Sequence, residues 1–372
     1  MVKKIRVIHF VDRIHRGGTQ AVLFEWVKHV DRSRFQFDFL TFLDGREEYI
    51  EEFKKYGCNI YQISKLSIGN FPSFMSDLDD FFATHKYDIA HGHSKSKNVL
   101  FLWKAKKYGI NVRIAHSHNT KFHRMALIGN LLKPLLNAVS TDFFACSEPA
   151  GEWLFGKRKV IEGKVKIIKN GVDTTQFTYN EGNRIKYRKQ FEISNKLVIG
   201  HVGRYMHQKN HKFLIEIFRC IHEINDQSVL LLVGAGDDDI QNYVDKKIEE
   251  YNLKNCVIQT GLRQDVANLM QAMDIFILPS LHEGLPVVGV EAQAAGLPCV
   301  FSDTITREVA LLDTTKFVQL DKSAEFWASE TVSLVNCHDR KQASQSVYDQ
   351  GYDSQTVTDY LMNIYKERLA IE

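Results

Sequence analysis

Short apolar runs recur along this chain, each followed after a turn by a stretch with helical spacing. That rhythm constrains the fold more than any other feature. In the first half, residues 5–11, 35–43, 59–63, 89–91, 112–116, 141–146 and 165–168 read as strands, with helix signals over 20–29 and 47–56. The second half repeats the scheme. Strands are expected at 196–203, 228–234, 257–260, 275–278 and 298–301, and helices at 213–224, 243–251, 266–272 and 287–295. Runs this apolar are buried on both faces, and helices alternating with them imply parallel sheets. The expected fold is α/β, with two Rossmann-like, doubly wound parallel-sheet domains facing each other across an interdomain cleft. The length of 372 residues agrees, since single cores stop growing near ~250–300 residues. The polar stretch 178–184 is the linker candidate. It gives an N-terminal domain at 1–178 and a C-terminal domain at 179–355. The segment 356–372 carries a last amphipathic helix. Open sheets of this kind bind ligands at strand carboxyl ends.

Composition narrows the class. Apolar residues make up 44% and charged residues 25%, which argues against disorder and coiled coil. No apolar run approaches the ~18–20 residues of a membrane span. The basic start leads straight into a strand and lacks the long apolar region of a secretory signal. Six cysteines without a CxxC pair suggest a reducing compartment and no zinc ribbon. The expected location is cytoplasmic. Residues 1–180 hold 28 Lys/Arg against 18 Asp/Glu (+10), and the remainder hold 20 against 27 (−7). From Ile89 to Thr141 there is no acidic residue and there are nine basic ones. Such a half is expected to meet something anionic. Nucleic acid is disfavoured, because no stacking aromatics are interleaved with the bases in an RNA-binding motif. Residues 122–136 mix large apolar groups with cations, as surface-binding helices do. Residues 95–136 are therefore the candidate contact with an anionic membrane surface.

Several constellations carry chemistry. Residues 279–291 follow a strand, and a helix is expected to start near Pro286. The amides of Gly284, Leu285 and Val287 would then suit a phosphate. Glu283 and Glu291, eight apart, could each accept hydrogen bonds from a diol. The plainer alternative is a helix cap and a solvated charge. After the strand ending at Gly203, Arg204 and Lys209 could clamp a diphosphate and stabilise it as a leaving group. The spacing is not that of a Walker loop, and Gly234 and Gly236 lack the third glycine of a dinucleotide fingerprint. Gly17 and Gly18, just before a helix, allow close backbone approach to a phosphate. His91/His93 and His116/His118 end two strands. Each pair is expected to turn its rings to opposite faces, and no carboxylate lies nearby in sequence. A hydrogen bond to a substrate hydroxyl is preferred over a metal site. Asp237, Asp238 and Asp239 read as a solvated acidic loop, and residues 169–173 as a turn around Asn170-Gly171.

In order along the chain, the glycine pair at 17–18, His-Ser-His at 116–118, Asn-Gly-Val-Asp at 170–173, Gly-Arg-x4-Lys at 203–209 and the glutamates at 283 and 291 resemble the retaining glycosyltransferases of the GT-B fold, family 4. The closest likeness is to capsule and exopolysaccharide transferases of the CapH/EpsF kind. The resemblance implies that Arg204 and Lys209 bind the donor diphosphate, with Gly17 and Gly18 approaching it from the N-terminal domain. It implies that Glu283 contacts the transferred sugar, that the backbone from Gly284 through Leu285 and Pro286 to Val287 holds its hydroxyls or the phosphate, and that Glu291 holds the ribose. Arg263 would lie by the nucleobase and His118 would touch the sugar, His116 being the less favoured histidine. The last helix would cross back onto the N-terminal domain. The implied activity moves a hexose or N-acetylhexosamine from a nucleotide sugar, UDP favoured, to a glycan acceptor on a polyprenyl diphosphate, with retention. No metal and no cofactor are expected, and the enzyme would sit peripherally at the inner face of the cell membrane. A nucleotide-sugar epimerase of the same two-domain fold is the alternative; it would convert donor without acceptor.

Overall fold

The computed structural model describes residues 3–15, 17–118, 126–335 and 339–370, and only the backbone of 126–131. Its chain forms two compact units. One is Met1–Gly171 together with Ser354–Glu372; the other is Val172–Asp353.

The first unit is built on a seven-stranded sheet. Its strands are β1 (Ile5–Val11), β2 (Phe35–Thr41), β3 (Ile60–Gln62), β4 (Ile89–Gly92), β5 (Val112–Ser117), β6 (Asp142–Ala145) and β7 (Val165–Ile167). Their order is β3-β2-β1-β4-β5-β6-β7, and every pairing is parallel. Central β1 is buried at all but one position, as a strand covered by helices on both faces must be. The helix Gly18–His29 buries Val22, Leu23, Trp26 and Val27 along one stripe. The C-terminal helix Ser354–Arg368 lies against it, with Leu361 and Tyr365 fully buried.

The second unit has six strands, β8 (Leu197–Val202), β9 (Ser228–Val233), β10 (Val257–Gln259), β11 (Ile275–Leu278), β12 (Cys299–Ser302) and β13 (Thr315–Val318). They are ordered β10-β9-β8-β11-β12-β13, again all parallel. All six residues of β9 are buried. The helix His211–Ile224 drives Leu214, Ile215, Ile217, Phe218 and Ile221 into the core over β8 and β9. In both sheets the winding direction reverses beside the first strand, between β1 and β4 and between β8 and β11. These switch points are where doubly wound sheets leave a crevice at strand carboxyl ends.

Two expectations need correction. Residues 178–184 are not a linker. Asn180 caps the helix Glu181–Gln190, and Arg184 donates to the carbonyls of Gln271 and Met273 at 3.1 and 2.8 Å. The polar side chains there satisfy buried carbonyls rather than solvent. The acidic run is not a loop either. Asp237 caps the helix Asp238–Glu250, accepting from the Asp239 amide, and Asp238 and Asp239 fill its first turn, where carboxylates oppose the helix dipole favourably. Part of the acid-free stretch is tied down within the unit, three of its nine cations by two acids. Lys104 and Lys107 both pair with Asp79, Lys97 pairs with Asp12, and the Arg113 guanidinium donates to the carbonyls of Val139, Ile110 and Asn111. Phe122, His123, Arg124 and Met125 of the proposed membrane segment, and Lys121, lie outside the described residues. Among the described residues no helix is long and apolar enough to cross a membrane.

Candidate active site

At the switch point of the second unit, β8 delivers residues 203–210 and β11 delivers residues 279–286. The two loops are stitched together. The Leu281 amide donates to the Gln208 carbonyl at 2.8 Å, and Asn210 Nδ2 to the Pro279 carbonyl at 3.1 Å. Asn210 makes this possible by adopting a left-handed conformation (φ 58°), which asparagine tolerates better than most residues. Glu283 is the focus. Its Oε1 accepts from Ser280 Oγ at 2.9 Å and pairs with Lys209 Nζ at 2.8 Å, and its Oε2 accepts from Gln208 Nε2 at 3.1 Å. The Glu283 and Lys209 side chains are only 10% and 14% exposed, so the pair is shielded from solvent screening.

Gly284, Leu285, Pro286 and Val287 are buried at the start of the helix Val287–Ala294. Pro286 occupies its cap position and offers no side-chain cap, and no acid lies in the first turn. The positive end of the helix dipole therefore has no carboxylate from its own first turn. Glu291 is half-buried on this helix and Arg204 is exposed on the β8 loop. The β9 loop closes over the same end. Gly234 has φ +143°, and a Cβ there would lie 2.1 Å from the Gly203 carbonyl oxygen. The glycine is needed for close approach of two backbones, not for a dinucleotide fingerprint. Its amide donates to the Gly261 carbonyl at 2.9 Å, linking the β10 loop. On that loop Arg263 forms a bidentate pair with Asp265 at 2.8 and 2.7 Å, and Asp265 also accepts from the Tyr187 hydroxyl. The Arg263 hydrogen bond holds the Asp265 carboxyl down at about 2.

Gly17, Gly18 and His118 belong to the first unit. Gly17 is the N-cap of the helix Gly18–His29, which has no side-chain cap and no acid in its first turn. The histidines break the expectation set for them. The rings of His91 and His93 are 4.2 Å apart and those of His116 and His118 are 4.1 Å apart. Residues two apart on a strand share a face, because the side-chain period is two; the rings of each pair lie together rather than diverge, tilted in the first pair and stacked in the second. His9 joins them, since it pairs in register with His91. All five are buried, and burial pushes His9 and His118 down to about 3 and the other three well below the usual imidazole value. Two triads, His9/His91/His93 and His93/His116/His118, each bring nitrogens within 4.8 Å of one another. Each donor set consists of neutral imidazoles, with no carboxylate among them.

Sequence reasoning missed Gln208, Ser280 and Asp265, whose roles appear only when loops far apart in sequence meet. It also missed His9 and Tyr365. His9 could have been found as a polar residue inside an otherwise apolar strand.

Residues 16–176 match the family described as Glycosyltransferase Family 4, and residues 196–336 that described as Glycosyl transferases group 1. The chain is 31% identical to the putative glycosyltransferase EpsF of Bacillus subtilis (strain 168), covering 97% of this chain and 96% of that one. It is 32% identical to the UDP-Gal:alpha-D-GlcNAc-diphosphoundecaprenol alpha-1,3-galactosyltransferase of Escherichia coli, covering 59% of this chain and 58% of that one. Anabaena Alr3699/HepE, solved in complex with UDP-glucose, has a similar fold, with a TM-score of 0.82 at 19% identity over 98% of this chain and 100% of that one. Full-length similarity to EpsF, the two family matches and the paired doubly wound sheets lead to one conclusion: this chain belongs to glycosyltransferase family 4 and has the GT-B fold.

Proposed function

We propose that the protein transfers a hexose or N-acetylhexosamine from a UDP-sugar to a glycan acceptor carried on a polyprenyl diphosphate, in capsule or exopolysaccharide biosynthesis, with retention and without a metal. The observation that carries this reading is the shielded Lys209–Glu283 pair at the switch point of the second unit. Support for the substrates comes from the UDP-glucose bound by HepE and from the diphosphoundecaprenol acceptor in the name of the E. coli relative.

In this reading Lys209 has two partners. A donor diphosphate draws the ammonium from Glu283, which frees a carboxylate oxygen for the hydroxyls of the transferred sugar. Ser280 and Gln208 keep that carboxylate oriented throughout. Arg204 adds a second, exposed cation, and the start of the helix Val287–Ala294 a fixed partial charge. As the bond from the anomeric carbon to the phosphate oxygen breaks, its electron pair passes to the phosphate. Lys209, Arg204 and the helix dipole stabilise that charge where water is scarce. The acceptor oxygen bonds to the anomeric carbon, and its proton passes to the departing phosphate. Glu291 holds the ribose, and Arg263, aligned by Asp265, lies beside the base. Gly17, Gly18 and His118 serve the donor from the first unit, and residues 95–136 contact the membrane peripherally.

The test is incubation of the full chain with a panel of UDP-hexoses and UDP-N-acetylhexosamines, with and without a polyprenyl-diphosphate-linked saccharide, in EDTA. The expected product is an extended lipid-linked glycan with UDP released. Conversion of a donor without acceptor identifies an epimerase instead, and no turnover of any donor rejects the proposal.

A further inference from the structure

The five histidines of the first unit form two hydrogen-bonded chains rather than one cluster. In the first, the Tyr365 hydroxyl lies 2.6 Å from His91 Nδ1, and His91 Nε2 lies 3.2 Å from His116 Nδ1. In the second, His9 Nδ1 is 3.1 Å from His93 Nε2, and His93 Nδ1 is 2.9 Å from His118 Nε2. The open ends, His116 Nε2, His9 Nε2 and His118 Nδ1, are buried and have no partner among the described residues.

A neutral imidazole has one N–H and one bare nitrogen. Along a chain of neutral rings, the proton position at one end therefore fixes all the others. Tyr365 is fully buried, and among the described residues His91 Nδ1 is the hydroxyl's hydrogen-bond partner. A buried O–H left without an acceptor is costly, so the hydroxyl donates. His91 Nδ1 is then bare and its Nε2–H donates to His116 Nδ1. His116 is left with its proton on Nε2. The second chain has no such anchor, and either direction leaves one bare nitrogen and one N–H at its ends.

We infer that Tyr365 and His91 are positioning residues that fix His116 as an Nε2–H donor, ready for an oxygen of the bound substrate, while His118 stays free to donate or accept. The idea rests on the glycosyltransferase reading only for the nature of that oxygen, a sugar hydroxyl or phosphate. It shifts weight to His116, whose ring stacks on His118 at 4.1 Å.

The test is long-range proton–nitrogen correlation NMR on the full chain with labelled histidine, before and after adding the UDP-sugars. In the wild type, His116 is expected to carry its proton on Nε2, and that resonance is expected to shift on ligand addition. In Tyr365→Phe the His116 proton moves in part to Nδ1, and kcat falls at least fivefold with KM for the donor little changed. A wild-type His116 protonated on Nδ1, or a tautomer indifferent to Tyr365→Phe, overturns the inference. That result needs no activity and leaves the proposed function standing. Conversely, failure of every UDP-sugar to bind, with the tautomers as expected, overturns the proposed function and the substrate contact, not the proton order. Donor binding that leaves the His116 resonance unmoved overturns the substrate contact alone.

Discussion

Lys209→Ala separates the two roles assigned to this lysine. One cation about 4 Å from a phosphate oxygen is worth ~4 kcal/mol at an effective dielectric of ~20. Arg204 and entering water recover part of that, so the expected loss in the barrier is about 1.4–3 kcal/mol, a 10- to 150-fold fall in kcat. Stability responds differently. Truncating one partner of a buried pair costs ~3–5 kcal/mol when the other is left bare. Here Glu283 keeps Ser280 and Gln208, so about 1–2 kcal/mol is expected. Adding Glu283→Gln removes the orphaned charge, and the double variant should regain melting temperature without regaining turnover. Kinetics with saturating UDP-sugar, alongside thermal unfolding of both variants, gives the answer. Turnover of Lys209→Ala within twofold of wild type would refute the clamp. Recovery of turnover in the double variant would show that the lysine serves only to neutralise Glu283.

Three further outcomes follow from the geometry. The five histidines of the first unit are held neutral by burial, with folded pKa values below the unfolded ~6.5. Below that pH the unfolded chain binds the extra protons, so stability is full above about 6.5 and falls with acidification, by ~1.4 kcal/mol per pH unit for each histidine. Melting curves from pH 7.5 to 5.0 should drop steeply, and a flat profile contradicts the neutral nest. Gly234→Ala places a Cβ against the Gly203 carbonyl and should cost about 2–4 kcal/mol through strain and overpacking; a melting temperature within 1–2 °C of wild type, an order-of-magnitude margin for a change this small, would show that the loops yield freely. Asp265→Asn loosens Arg263 and should weaken UDP binding severalfold by calorimetry; unchanged affinity removes Arg263 from the nucleotide site.

The doubly wound sheets were legible because their strands are nearly uniform apolar runs. β9 reads Ser-Val-Leu-Leu-Leu-Val and is buried throughout. β13, Thr-Lys-Phe-Val at the sheet edge, escaped notice because only its last residue is buried. The helices Phe71–Thr84 and Asn98–Lys107 went unread as well; the second buries six of its ten residues, including Asn98 and Lys104, and so has a weak amphipathic signature. At the candidate site, the charged residues stood out locally: Lys209, Glu283 and Arg204 carry strong chemistry at strand ends. What holds them did not. Gln208 reaches Glu283 across 75 positions, and Tyr365 reaches His91 across 274. Such partners are chosen by topology, and a single polar residue in sequence gives no sign of them.

Calorimetric titration of UDP into the wild-type chain and into Arg204→Ala/Lys209→Ala, in EDTA, bears most directly on the claim that a nucleotide diphosphate is gripped by the β8 and β11 loops. The account requires one-to-one binding in the wild type and at least a thirtyfold weaker affinity in the double variant, about 2 kcal/mol, with both proteins folded. Equal affinity in the two proteins, or no binding by the wild type, would contradict it.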